Sequence, residues 1–310
     1  MIDQNINQHH KHYLGWSPTF GPLQQGFTHG SMNFGSHPYA YRSNKDLRNQ
    51  TVPADRYPKD ALTDGAIDFI QKHHEQPFFL YVSEYFVHDP VHSRCEWLLD
   101  KYRDRLPADA PTVRTADGAM VETLDHLVGR VIGAIDDAGI ADNTVVVLTS
   151  DNGGHPKYTS NAPLRGSKWN LYEGGIRVPL IVRWPAKVTA GITSSAVAHA
   201  CDLLPTFCDI ATAPLPTVPI DGVSLLPHLT GSTASIERSS PLVWHFPYYH
   251  PEKRFRRSPT SIGVADFATS QTRPHSAIRD GDWKLLNFYE DDHIEMFKVD
   301  TRESLAVGIR

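Results

Sequence analysis

An α/β fold, with a largely parallel sheet flanked by helices and a small antiparallel unit at the C-terminal end, is the class this sequence predicts. Two unbroken apolar runs, FFLYV at 78–82 and TVVVL at 144–148, lack the alternation of a half-exposed strand and suit strands covered on both faces. A long helical stripe separates them, and strand, helix, strand at these lengths indicates a βαβ unit. After about residue 235 the texture changes to short strand-like runs with a hairpin signal. The expected division is therefore a catalytic-type domain over 1–234 and an antiparallel subdomain over 235–310.

Residues 1–57 are rich in Gly, Pro, His, Tyr and Asn, show little periodicity and read as irregular. From Asp60, the spacing of Leu62, Ala66, Phe69 and Ile70 predicts a helix that ends before Pro77. The 78–82 strand then leads into a polar loop from Ser83 to His92. Over 114–138, Met120, Leu124, Leu127, Val128, Val131 and Ile135 fall on one stripe, and Gly139 stops that helix. The 144–148 strand follows, and 178–182 supplies another, closed by Trp184-Pro185. Residues 202–211 read as a helix that tolerates Pro205 in its first turn. A proline-rich connection over 213–227 leads to strands at 242–245, 276–279, 283–288 and 294–299, with Asp280-Gly281 as a turn signal.

Composition narrows the partners. A chain of 310 residues with net charge -5 gives no reason to expect a nucleic-acid partner. The basic cluster Lys253-Arg254-Phe255-Arg256-Arg257 reads as a solvated loop. No apolar run approaches the roughly 18 residues a membrane span needs. The N-terminus MIDQNINQHHKHYLG has no hydrophobic signal region, and the sequon Asn49-Gln50-Thr51 is weak support for secretion. Cys95, Cys201 and Cys208 form neither a disulfide framework nor a Cys-x-x-Cys pair. Seventeen histidines, among them His74, His88, His92, His155 and His245 near loop signals, suggest polar or metal chemistry without locating it.

The chemistry concentrates in 149–185, TSDNGGHPKYTSNAPLRGSKWNLYEGGIRVPLIVRWP. Asp151 and Asn152 lie just beyond the carboxyl end of the 144–148 strand, the edge where open α/β sheets bind ligands. They offer adjacent hard oxygens suited to Ca²⁺ or Mg²⁺, although two oxygens cannot complete a calcium shell. Taken alone, Asp-Asn-Gly-Gly is as readily a tight turn. Lys168 reads either as an exposed loop lysine or as a clamp gripping an anion together with a cation. His88 follows the 78–82 strand onto the same sheet edge, as a backbone-bonded loop histidine or as an acid for a leaving oxygen.

Together these pieces resemble the sulfatase family. The family's Asp-Asn-Gly turn is followed by a Leu-Arg-Gly-x-Lys-x-x-x-x-Glu-Gly-Gly-x-Arg-x-Pro block. This chain has Leu164-Arg165-Gly166-Ser167-Lys168, then Glu173-Gly174-Gly175-Ile176-Arg177-Val178-Pro179 and Trp184-Pro185. The 78–81 strand with His88-Asp89-Pro90, the segment His199 to Thr206, the turn Asp221-Gly222-Val223-Ser224-Leu225 and the hairpin 276–284 are similar to further family motifs. The resemblance implies an alkaline-phosphatase-like fold and hydrolysis of sulfate esters on a sulfated small molecule or glycan. It implies Asp151 and Asn152 as ligands of calcium (or magnesium), Lys168 as sulfate binder, His88 as sulfate contact and acid, and Lys11 as a further catalytic lysine. Arg165, Glu173 and Arg177 would hold the loop through ion pairs.

The departures are specific. Sulfatases attack with a formylglycine made from the cysteine of Cys-x-Pro-x-Arg, and none of Cys95, Cys201 and Cys208 stands in such a motif. The family's early strand with paired aspartates has no counterpart, and Tyr13 stands where its histidine belongs, beside His12. By that pattern the chain begins partway through the catalytic domain and is inactive alone. A non-catalytic homologue that binds sulfated glycans, or a phosphatase or phosphodiesterase of the wider superfamily, stays open as an alternative. The family is often secreted, periplasmic or lysosomal; the compartment of this chain is open. A sheet without an inner strand would expose edges and apolar faces. The chain is therefore expected to be marginally stable or to aggregate; a cooperative thermal transition from a soluble monomer at ordinary concentration would contradict this.

Overall fold

The computed structural model describes residues 2–5, 21–31, 52–84, 86–88, 91–249, 266, 273–290, 293–299 and 306–308. Lys11, the sequon at Asn49 and the basic cluster 253–257 lie outside the described residues. The chain forms two compact units, Met1–Thr144 and Val145–Arg310. No described helix is long and apolar enough to cross a membrane.

In the first unit, β1 (Ile2–Asn5) runs parallel between β2 (His29–Ser31) and β3 (Phe79–Tyr81), with Asp3 opposite both His29 and Leu80. Helix α1 (Ala61–His73) buries Leu62, Ala66, Phe69 and Ile70, as their spacing predicts. Its start is set by Asp60, whose carboxylate accepts the Thr63 N–H at 2.7 Å, a cap worth about 1 kcal/mol.

Helix α2 (Glu96–Arg105) escapes prediction because it is densely charged and buries only Leu98 fully. Helix α3 (Thr112–Asp137) ends where expected, at Gly139 with φ +69°. Its stripe is shifted, however. Met120, Leu127 and Ile135 are buried, but the rest of the core face is Thr115, Ala119, Thr123 and Ala134, while Leu124, Val128 and Val131 are only half-buried. Close packing explains the small residues: a Cβ on Gly118 would come within 2.5 Å of the Tyr102 ring of α2. Glu122 ties the same surfaces together, accepting from Lys101 at 2.6 Å and from the Tyr57 hydroxyl at 3.0 Å.

The second unit corrects one expectation. Strand β4 (Val146–Thr149) pairs antiparallel with β5 (Leu180–Arg183), Thr149 opposite Leu180 and Val146 opposite Arg183. The segment between them is thus one long excursion that leaves and rejoins the same pair of strands. Nor are these strands buried on both faces: Leu148 and Leu180 are each 39% exposed and Ile181 is 56% exposed. An apolar run shows that a strand is built to be covered; it does not specify the cover.

Helix α4 (Glu173–Ile176) closes that excursion, and α5 (Leu203–Ile210) continues a 3-10 turn at Ala200–Asp202. Helix α6 (Leu226–Leu229) is a single turn. The C-terminal sheet is an antiparallel meander of β6 (Leu242–Phe246), β7 (His275–Asp280), β8 (Trp283–Phe288), β9 (His293–Lys298) and β10 (Ala306–Gly308). The predicted hairpin joins β7 to β8: Asp280 faces Trp283, and Gly281 takes φ +54°. Ala277, Leu286, Phe288, Phe297 and Val299 form one core with Leu171 and Tyr172 of the excursion.

Asp202 ties two segments that are separate in the sequence to one another. Its carboxylate accepts from the N–H groups of His199 (2.7 Å) and Val223 (3.0 Å) and from both terminal nitrogens, Nη1 and Nη2, of the Arg238 guanidinium. Thr206 Oγ1 takes the Leu225 N–H at 2.8 Å, and a Cβ on Gly222 would meet the Cys201 carbonyl oxygen at 2.0 Å. The α5 segment and the 221–225 turn are therefore one bonded unit. Burial would raise the Asp202 carboxyl, but the Arg238 fork and the two backbone donors outweigh it and hold it low. Asp202→Ala strands the guanidinium and two N–H groups, so denaturant unfolding should show a loss of about 3 kcal/mol.

Candidate active site

Glycines make the excursion from β4 to β5 compact. Gly153 N–H donates to Gly175 O at 2.8 Å, and Gly174 N–H donates to Arg165 O at 2.7 Å. A Cβ at Gly153 would lie 1.9 Å from Gly174 O, at Gly174 2.1 Å from Gly166 O, and at Gly175 2.0 Å from Asn170 O. Only glycine permits backbone to pack on backbone so closely. Gly166 adds a left-handed turn at φ +77° and donates to the Asp266 carbonyl. Asn161 seals the far side, pairing its amide with both Gly154 N–H and Gly154 O at 2.8 Å.

This packing brings three of the proposed site residues to one place. Asp151 is exposed and Asn152 half-buried immediately after β4. Lys168, half-buried, donates its backbone N–H to Gly154 O at 3.1 Å, so the acidic turn and the lysine share one bonded scaffold. The Lys168 ammonium lies 5.0 Å from the centroid of the Trp169 ring. His88 belongs to the first unit, half-buried in the turn after β3. Two backbone outliers adjoin these residues: Val87 at φ 73° and Trp169 at φ 83°. Left-handed backbone is costly for a β-branched or bulky residue, and such strain clusters at functional sites.

Asp151 and Asn152 are the hard oxygen donors a calcium or magnesium ion takes, so the pair fits part of such a shell. Among the described residues no group of three or more His, Cys, Asp or Glu could hold a metal. Two donors fall short of the six to eight oxygens of calcium.

The side chains below the scaffold are more completely defined. Arg165 is buried, with Nη2 2.9 Å from Glu295 Oε2 and its guanidinium 4.2 Å above the Tyr172 ring. Glu173 pairs with Lys284 at 2.8 Å and Arg279 at 3.5 Å. Burial would raise the Glu173 carboxyl, but these cations, with a smaller contribution from Arg177, hold it below the usual carboxylate range. Burial in turn lowers Lys284, against the pull of Glu173. The expected ion pairs of Arg165 and Glu173 thus find partners in the C-terminal sheet, whereas Arg177 is exposed.

His275 is an anchor that the sequence does not signal. Its Nδ1 bonds the Arg273 carbonyl at 2.7 Å, which leaves Nε2 to accept the Leu171 N–H at 3.1 Å. The ring stacks on Phe288 at 4.9 Å. A histidine at the head of a strand resembles any other polar strand residue, and its partner lies 104 residues away.

The solved structure described as Ps i-CgsB in complex with k-i-k-neocarrahexaose superposes with a TM-score of 0.68 at 24% identity, over 96% of this chain and 64% of that one. That likeness places the fold: α/β of the alkaline-phosphatase-like type found in sulfatases. The family described as Sulfatase matches residues 3–213, and the one described as N-sulphoglucosamine sulphohydrolase, C-terminal, matches 167–304. The chain belongs to the sulfatase family. A sulfatase of Formosa agariphila is 33% identical over 254 residues, covering 77% of this chain and 43% of that protein. Human arylsulfatase A is 34% identical over 184 residues, covering 58% of this chain and 33% of it. The chain spans less than half the length of these curated relatives.

Burial pushes the His275 imidazole from 6.5 down to about 4, with the Lys284 charge adding to the effect and the Arg273 carbonyl opposing it. The unfolded chain therefore takes up this proton first. The contribution of His275 is fully present above the ordinary value and is lost as pH falls towards the folded one. Between pH 7 and pH 5 that loss is about 2 kcal/mol. Urea melts should show the wild-type chain losing this much more than His275→Gln over the same interval.

Proposed function

We propose that this chain supplies the cation turn and the anion clamp of a sulfate-ester hydrolase. The observation that supports this most directly is the bond from Lys168 N–H to Gly154 O, which fixes the lysine beside the Asp151-Asn152 turn. Asp151 and Asn152 would hold calcium, or magnesium in its place. The ion, when bound, withdraws charge from a sulfate oxygen. Lys168 neutralises charge on the sulfate as it builds towards the leaving group. His88 contacts the sulfate and gives a proton to the departing alcohol, and Lys11 adds a second cationic contact.

Cys95, Cys201 and Cys208 stand outside any Cys-x-Pro-x-Arg motif, so the formylglycine of the family would have no precursor among them. Binding without turnover follows for the chain alone. Relatives named steryl-sulfatase and N-acetylgalactosamine-6-sulfatase support a sulfated small molecule or glycan as the ligand. Missing the nucleophile motif also suits the second reading, a homologue that binds sulfated glycans without cleaving them.

Titration calorimetry with inorganic sulfate in calcium should give saturable binding that Lys168→Ala weakens about tenfold or more, the loss of one charge-assisted contact. Equal binding by wild type and variant would remove Lys168 from the site. No hydrolysis of a chromogenic aryl sulfate is expected; turnover well above the Lys168→Ala background would refute the inactivity of the chain.

A further inference from the structure

Lys168 sits near the tip of a closed loop. The Gly174 N–H to Arg165 O bond at 2.7 Å pinches the loop at its base, and Asn170 N–H returns to Ser167 O at 3.2 Å across the tip. From the two legs of this loop, Arg165 and Tyr172 send side chains down into the core, where each is 5% exposed or less. Both end on the same group. Glu295 of β9 pairs by charge with Arg165, Oε2 lying 2.9 Å from Nη2, and accepts the Tyr172 hydroxyl on Oε1 at 2.9 Å. Phe297, two residues on along the same face of β9, lies 5.7 Å from the guanidinium and stacks on the Tyr172 ring at 6.2 Å. His293 reaches the carboxylate from the half-exposed side at 3.4 Å.

We propose that Glu295 is the positioning residue of the anion clamp: one buried carboxylate joins the two legs of the loop and thereby sets where Lys168 stands. Chemistry and reach both favour this role. A carboxylate has two oxygens, so it can face a cation with one while the other accepts a hydroxyl proton. A buried carboxylate facing a guanidinium also penalises any rearrangement that would part them, since either charge left unpaired in the core is strongly disfavoured. The other anchors described above each hold one leg only, His275 taking the Leu171 N–H and Lys284 pairing with Glu173, whereas Glu295 meets a side chain from both. Without Glu295 the Leu171–Glu173 side stays anchored through His275 and Lys284, but the Arg165 leg loses its tie to the sheet and the tip its fixed height. The catalytic meaning of that height rests on Lys168 binding sulfate; the mechanical role does not.

Amide hydrogen exchange on the full chain separates the two. Glu295→Gln keeps the shape and the Tyr172 contact but removes the charge facing Arg165. Amides of 165–175 should exchange about tenfold faster in this variant, with β7 and β8 unchanged. Lys298→Ala, which alters an exposed charge on the same strand, should change neither. Unchanged exchange over 165–175 would overturn the proposal, and so would an equal rise throughout the sheet, the mark of a merely structural residue. Should Glu295→Gln fail to fold, Tyr172→Phe removes one of the two partners with the charge pair intact. It should give the same pattern at smaller size; no local rise there overturns the proposal equally.

Acetylation of Lys168, followed by peptide mass, then connects position to binding. Sulfate with calcium should slow it in the wild type and leave it unslowed in Glu295→Gln. A wild type that sulfate does not protect counts against the sulfate reading itself, while the exchange result still decides the role of Glu295.

Discussion

Backbone packed directly on backbone is the constraint on which the segment between β4 and β5 depends. At Gly153, Gly174 and Gly175 any side chain would drive into a carbonyl oxygen, so the three positions admit no methyl group without moving the chain. The benefit is stiffness in a region that would otherwise be soft. Surface loops carry function on flexible backbone, whereas this one is bonded to itself across its base and to Asn161 at its side. Groups that must meet an anion without rearranging gain from such a scaffold, because reorganisation is what weakens electrostatic stabilisation.

Below the scaffold, charge has been buried in pairs. Arg165 with Glu295, Glu173 with Lys284, and Asp202 with Arg238 each place two ions where water is scarce. Pairs of this kind are poor sources of net stability, since desolvation offsets much of their attraction. Their effect is on uniqueness: an apolar contact tolerates sliding, but a buried ion whose partner moves away is heavily penalised. Two of the three pairs link the excursion to the C-terminal sheet, and the third links α5 to the chain that follows it. The sheet therefore participates in the geometry of the loop although none of its residues belongs to the motif.

What the sequence made legible follows from how local each signal is. Helices α1 and α3 announce themselves through spacing, and the β7–β8 hairpin through Asp280-Gly281. Gly139 marks the end of α3 because a left-handed residue is needed there. The polar segment 149–185 stands out as a candidate site because so many charged and glycine residues seldom fall between two apolar strands. Helix α2 was hidden by its charge. The antiparallel partnership of β4 with β5 was hidden because parallel and antiparallel strands share one apolar pattern. Glu295 and His275 were hidden for another reason: their partners are 123 and 104 residues away, and nothing at either end announces the other. Lys284 shows the same limit, a lysine in strand alternation that turned out to be wholly buried.

Val87 and Trp169 stand next to His88 and Lys168 in backbone conformations that a glycine would adopt freely. A selection for thermal stability acting on this protein would find those two positions early, because relaxing them releases strain held by the surrounding fold. The same relaxation would let the neighbouring imidazole and ammonium wander. If His88 and Lys168 act on sulfate as proposed, durability and aim are set against each other at two identifiable peptide units. Any lineage or laboratory that hardens the chain elsewhere leaves that contest untouched.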